Sequence, residues 1–229
     1  MADKPTLAFC IPNYGPLDAC VYHNHLAVVA HASRTFDIKC IGSTDKMYLH
    51  TASNALVRGA LEANVDYIFW TENDMLLPFD VVEKLHRHRK DICSGLYFLR
   101  SGSYQPCLYV RNDEMIEDDS CGFVPISIFP ENELFKVQAC GCGCVLFKAD
   151  MFRGIEEPWF NLDENKYGQD MYFYKKVYDK KIDVYADTSV QCEQLGDKVK
   201  TSIEDYRKYL KDPNSRARGF IQASSGIKI

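Results

Sequence analysis

No apolar run in the 229 residues approaches the roughly 20 needed to cross a bilayer, and the opening stretch Met1-Ala-Asp-Lys-Pro-Thr6 lacks the long apolar core of a signal peptide. The expectation is a cytoplasmic protein with no membrane span. An excess of positive charge is also missing: 27 Lys and Arg stand against 32 Asp and Glu, a net charge of −5. That balance gives no overall field for a polyphosphate or an anionic membrane and leaves only a local basic groove open. Internal repeats and linkers are lacking too, which excludes a tandem array and reads residues 1–212 as one domain. Past Asp212 the Ser, Gly and Arg of Pro213-Asn-Ser-Arg-Ala-Arg-Gly219 read as a loose tail over 213–229.

What is plentiful is core material. Hydrophobic residues make up 46% and aromatics 13%, enough for a packed globular chain rather than a disordered one. Ten cysteines would suggest disulfides in a small secreted domain. Without an export signal they read as reduced thiols, used as small hydrophobes in runs such as Leu7-Ala-Phe-Cys-Ile11 and Asp91-Ile-Cys-Ser-Gly95.

The first ninety residues alternate short apolar runs with helix-period segments, the pattern of a parallel sheet with crossover helices. Strands are expected at 7–11, 36–41, 66–70 and 92–94, and helices at about 17–32, 54–64 and 79–90, with Pro78 at the start of the last. Beyond Gly95 the stretches 96–99, 104–110 and 134–148 read as strands, joined by an acidic loop at 112–120. A helix over 169–180, a strand over 182–186 and a final helix over 202–210 complete the reading. His86 and His88 fall at what reads as an exposed helix end, as surface residues.

The most informative segment is Tyr67-Ile-Phe-Trp-Thr-Glu-Asn-Asp-Met75, a buried strand ending in Glu72-Asn73-Asp74. It places two carboxylates two residues apart at the carboxyl end of a parallel strand, where open α/β sheets bind ligands. Closely spaced oxygen donors suit Mg²⁺ or Mn²⁺ completed by substrate phosphates. The plain alternative is a polar turn leading into the next helix. In Ala139-Cys-Gly-Cys-Gly-Cys144 three thiols crowd five positions. On one strand they would line a single face, with no second Cys or His pair at zinc-site spacing.

In these residues the chain resembles the GT-A glycosyltransferases, particularly the small family-2-like enzymes of phages and bacteria. The likeness runs over roughly residues 5–197. The opening Ile11-Pro-Asn-Tyr-Gly15 resembles the family's first nucleotide-binding strand and loop, which assigns Pro12, Asn13 and Tyr14 to the donor. Ala52 to Leu61 and Val65 to Met75 are similar to the helix and strand that deliver the Asp-x-Asp motif, adding Asn54, Arg58, Glu72 and Asn73. The resemblance makes Asp74 the metal ligand and brings Glu72 to the ribose or the metal, although Glu replaces the family's first Asp. Ile92 to Arg100 resembles the strand after the metal motif, with Arg100 near a phosphate. Gly141 and Gly143 are implied to let sugar or acceptor approach the backbone, and the likeness continues through Trp159. Tyr167-Gly-Gln-Asp-Met-Tyr-Phe173 is similar to the Gly-Glu-Asp-x-x-Phe motif, leaving Asp170 as the general base. Relatives end their last strand in His-x-Gly, with that His on the metal. This chain has no histidine after His88, and Gln194 stands in the corresponding place, which by the resemblance leaves the third metal ligand missing, weaker as Gln194, or replaced by the adjacent Glu193.

The implied fold is α/β of GT-A type: a Rossmann-like, mostly parallel sheet with flanking helices and a small antiparallel acceptor-side region. The implied activity is metal-dependent hexosyl or pentosyl transfer from a nucleotide-sugar donor, with a bias to UDP, to an acceptor hydroxyl. That acceptor is a glycan or a modified DNA base. Two rivals stand beside it. One is a nucleotidyltransferase, although Pro12-Asn-Tyr-Gly-Pro16 has no basic glycine-rich loop. The other is a non-catalytic nucleotide- or sugar-binding protein on the same fold.

Overall fold

The computed structural model describes residues 4–100, 104–112, 121–162, 167–196 and 200–212. The tail expected over 213–229 and most of the acidic loop over 112–120 lie outside the described residues. In chain order the elements are β1 (Thr6–Ile11), α1 (Ala19–Ala32), β2 (Asp37–Ser43), α2 (Leu49–Glu62), β3 (Tyr67–Thr71), β4 (Met75–Leu76), α3 (Val81–His86), β5 (Ile92–Leu96), β6 (Leu108–Arg111) and β7 (Phe123–Pro125). They continue as β8 (Leu134–Val137), β9 (Ala139–Cys140), β10 (Cys144–Lys148), α4 (Asp150–Arg153), α5 (Gln169–Asp179), β11 (Val184–Gln191), β12 (Glu193–Leu195), β13 (Lys200–Thr201) and α6 (Ile203–Lys211). No helix among the described residues is long and apolar enough to cross a membrane.

The main sheet runs β2-β1-β3-β10-β5-β11-β8. β2, β1 and β3 are parallel, β10 is antiparallel to both its neighbours, β5 and β11 are parallel to each other, and β8 closes the far edge antiparallel. Central strands are apolar throughout because both faces are covered, as the near-continuous runs Leu7–Ile11 and Ile68–Trp70 require. Period-2 alternation then sorts their side chains. Leu7, Phe9 and Phe69 pack with Val28, Val82 and Leu85 from α1 and α3, while Ala8, Ile68 and Trp70 pack with Leu56 and Val57 of α2 and Phe173 of α5. On that second face Phe173 meets Phe147, Phe152 and Phe160 at centroid distances of 5.7, 5.4 and 4.9 Å. Each such pair adds about 0.5–1.5 kcal/mol beyond the area it buries. Two three-stranded sheets flank the main one, β13-β12-β4 and β7-β6-β9.

Several boundaries move from the sequence expectation. The helix expected at 54–64 begins five residues earlier, at Leu49, behind an N-cap Tyr48 that makes no side-chain cap bond. The helix expected at 79–90 is only Val81–His86, and the strand expected at 182–186 extends to Gln191. The stretch 134–148 is three strands in two sheets rather than one, so the cysteines do not line one face. Cys140 bonds the Tyr174 hydroxyl at 2.7 Å, Cys142 lies in the turn and Cys144 opens β10.

His86 and His88 are not the free surface residues expected from the sequence. His86 stacks edge-on against Phe36 and Tyr67, at 4.9 and 4.8 Å. His88 Nε2 lies 2.7 Å from Oδ2 of Asp187, a β11 carboxylate with 2% side-chain exposure. The Ser189 backbone N–H and hydroxyl both donate to Asp187 Oδ1, and Arg87 lies 3.4 Å away. Burial pushes this carboxyl up, but the bonds from Ser189 and His88 more than offset it and hold it below its ordinary value. Because the folded carboxyl titrates below the unfolded one, its stabilisation is fully present above about 3.8 and is lost as pH falls through the lowered value. We expect Asp187→Asn to cost about 2–3 kcal/mol at neutral pH. Urea unfolding should also show the wild type losing its advantage over the variant as pH falls below about 3.8 and through the lowered value.

Candidate active site

The carboxyl ends of β1, β3, β5 and β11 face one edge of the sheet, and the reversed β10 begins at that same edge, with Cys144 opposite Thr71. After β1, the Asn13 N–H donates to the Thr44 hydroxyl oxygen, and that hydroxyl donates back to the Asn13 carbonyl, both at 3.0 Å. This ties the loop after β1 to the end of β2. Asn13 Oδ1 accepts from Asn73 Nδ2 at 2.7 Å, so the loops after β1 and β3 are joined through two amides. Pro12 is buried behind them, and Tyr14 projects to solvent with 65% of its surface exposed.

After β3 the chain turns through Glu72-Asn73-Asp74 into β4, which pairs antiparallel with β12 so that Gln194 stands opposite Met75. The Leu195 N–H donates to the Asp74 carbonyl at 2.7 Å and fixes the register. Gln194 Nε2 consequently reaches Asp74 Oδ2 at 3.1 Å. Arg100 Nη1 meets the same oxygen at 2.8 Å and also donates to the Leu195 carbonyl at 3.2 Å. Glu193 points to the other face of β12, where Lys200 pairs with it at 3.0 Å.

Asp170 completes the group from the first turn of α5, its Oδ2 accepting the Cys142 N–H at 3.2 Å. Burial, then the charges of Asp170 and Asp74, push Glu72 up to about 8 against the opposing pull of Arg100. Burial raises Asp74 too, opposed by Arg100 and the Gln194 amide, and it raises Asp170 against the bonds from Cys142. Three carboxyls thus crowd one guanidinium, an arrangement short of positive charge.

Two buried oxygens here, Asp74 Oδ1 and Gln194 Oε1, have no hydrogen-bond partner. An unsatisfied buried acceptor costs about 1–3 kcal/mol, and a hard cation removes that cost. The donor set is therefore chemically suited to Mg²⁺ or Mn²⁺. No three His, Cys, Asp or Glu side chains among the described residues are grouped to hold a metal, so a substrate diphosphate would have to complete the coordination.

Other expected site residues lie apart from this cluster. Asn54 is buried and its amide is taken up by backbone: Oδ1 accepts from the N–H groups of Trp159 and Phe160, and Nδ2 donates to the carbonyls of His50 and Phe160. Trp159 donates its indole N–H to Phe152 and Ile155 and is part of the core. Arg58, in the second half of α2 and toward the opposite edge of the sheet, pairs with Glu157 at 2.9 Å. Their geometry is that of a clamp on residues 157–160. The space beside Gly141 and Gly143 is taken by a residue sequence reasoning missed, Tyr97, rather than left open to a ligand. A Cβ on Gly141 would fall 2.0 Å from the Tyr97 hydroxyl oxygen, and one on Gly143 would fall 2.7 Å from its ring. The Gly143 N–H donates to that hydroxyl at 2.9 Å, so Tyr97 holds the turn whose Cys142 N–H binds Asp170. The available signal was two glycines in alternation, which leave room for one large ring.

We expect Gly141→Ala to destabilise by about 3 kcal/mol through overpacking. Tyr97→Phe should restore part of that loss in the double variant, because the next atom of Tyr97 is 3.0 Å away once the oxygen is gone. Chemical denaturation of the four proteins of the cycle checks both.

No protein-family model matches the chain, and no curated protein matches it. Solved structures do. A197 from STIV superposes with a TM-score of 0.62 at 19% identity, over 88% of this chain and 91% of that one. GalNAc-T7, determined with UDP, GalNAc and Mn²⁺, superposes with a TM-score of 0.53 at 8% identity, over 99% of this chain and 51% of that one. The chain thus spans about half the length of the latter. Identities this low speak for the fold alone, and that fold is the α/β, GT-A-type architecture of a mostly parallel seven-stranded sheet with flanking helices.

Proposed function

We propose that this protein is a nucleotide-sugar glycosyltransferase, with residues 1–212 as the catalytic unit. The observation that carries the reading is the meeting of Glu72, Asp74, Arg100, Gln194 and Asp170 at the carboxyl edge of the sheet. It is supported by a structural neighbour determined with UDP, GalNAc and Mn²⁺. Asn13 and Asn73 line the nucleotide side. Asp74 and Gln194 would hold a divalent cation through the oxygens that lack partners, with Glu72 beside them. Such a cation supplies charge stabilisation to the departing diphosphate.

The chain's own groups do the rest. Arg100 adds a fixed positive charge on the leaving-group side. Asp170, its carboxyl raised by burial and oriented by the Cys142 N–H, takes the proton from the acceptor hydroxyl as the new glycosidic bond forms. The ten free thiols accord with work in a reducing cytoplasm. The acceptor is a hydroxyl on a glycan or a modified base.

A screen of nucleotide sugars for Mn²⁺-dependent hydrolysis and thermal stabilisation tests the reading. Stabilisation without any turnover, across a panel of acceptors, would favour a binding protein on the same fold. Asp74→Asn should abolish Mn²⁺-dependent binding of the donor and leave the fold intact, as read by calorimetry and circular dichroism. Asp170→Asn should lower turnover by about 10²–10⁴-fold while sparing donor affinity. Product that keeps the donor's anomeric configuration would remove Asp170 from a direct displacement.

A further inference from the structure

Asp74 Oδ2 holds two donors, Arg100 Nη1 at 2.8 Å and Gln194 Nε2 at 3.1 Å, whereas its partner Oδ1 is buried and holds none. Gln194 is only 7% exposed and its Oε1 also lacks a partner. The oxygens suited to a cation therefore sit beside a carboxylate that already carries one, the guanidinium. Arg100 differs from its neighbours in being half in solvent, with 54% of its side chain exposed. Its Nε and Nη2 make no hydrogen bond to any described residue. One edge of the guanidinium grips the protein, and the rest of the planar fork is free to take an oxyanion.

A divalent cation on Oδ1 and a guanidinium on Oδ2 would share one negative charge and repel each other, so each weakens the other's hold on Asp74. The Leu195 carbonyl, 3.2 Å from Nη1, offers an anchor that survives if Asp74 lets go.

We infer that Arg100 is an exchangeable counter-cation. It neutralises Asp74 when the site holds no metal, yields that carboxylate to the divalent cation, and turns its fork to the diphosphate that arrives with it. This rests on the glycosyltransferase reading and adds a sequence to it: metal alone competes with Arg100, whereas metal together with diphosphate gives Arg100 a new partner. Metal and diphosphate consequently promote each other's binding, as reciprocal linkage demands.

Calorimetric titration of the full-length chain with Mn²⁺ alone, and then with inorganic pyrophosphate at saturating Mn²⁺, tests the exchange in wild type and Arg100→Gln. The variant should bind Mn²⁺ alone roughly ten-fold more tightly and pyrophosphate roughly ten-fold more weakly, opposite signs from one substitution. A generally damaged site would weaken both. Unchanged or weaker Mn²⁺ binding by Arg100→Gln, in a protein whose thermal unfolding matches wild type, overturns the exchange and leaves the glycosyltransferase reading standing. Failure of both proteins to bind Mn²⁺ alone overturns the exchange, and failure to bind it with pyrophosphate present as well overturns the metal-dependent reading too.

Discussion

The site depends on one strand running against its neighbours. β10 lies between β3 and β5 and is antiparallel to both, so its amino end, rather than its carboxyl end, arrives at the edge where the parallel strands finish. That reversal brings the turn of Gly141, Cys142 and Gly143 against Tyr97 from the end of β5. It also aims the Cys142 N–H at Asp170 on α5. In an all-parallel arrangement the same turn would sit at the far edge, and Asp170 would lose the bond that orients it.

The electrostatics follow from the packing. Glu72 and Asp74, from the turn after β3, and Asp170, from α5, are pressed together by burial, with Arg100 as their nearby positive charge. A cluster that favours protonation when alone is one that gains most when positive charge is delivered to it. The β4–β12 pairing adds the rigid backing: two ladder positions and the Leu195 N–H fix Gln194 against Asp74, so the amide is placed by backbone register rather than by side-chain chance.

How much of this was legible depended on whether the signal was local. The strand–helix alternation of the first ninety residues and the strand ending in Glu72-Asn73-Asp74 are properties of short windows, and those elements occur in the expected order although the bounds of α2 and α3 shift. The motif resemblance put Gln194 in the place of a metal-binding His, and its amide lies 3.1 Å from Asp74. The start of α2 was illegible because Tyr48 provides no side-chain cap. The split of 134–148 was hidden because its residues suit a strand equally well and only Tyr97, more than forty residues earlier, forces the turn. Asn54 and His88 show the commonest limit: a polar residue in a suggestive segment is claimed by backbone or by a buried carboxylate that no window contains. Arg100 was read for phosphate, and its present partner, Asp74, is one that spacing alone does not reveal.

The interlock of Tyr97 with Gly141 and Gly143 has an evolutionary consequence. With a hydroxyl oxygen 2.0 Å from where a Gly141 Cβ would lie, the three positions share one fixed volume, and a side chain at either glycine costs stability while Tyr97 keeps its hydroxyl and ring. A lineage that shrank the ring first would pass through a void beside the turn that orients Asp170. Either order crosses a less fit intermediate, so the trio should change together or stay, and an aromatic at 97 with small residues at 141 and 143 would mark descendants in which this turn still serves the same site.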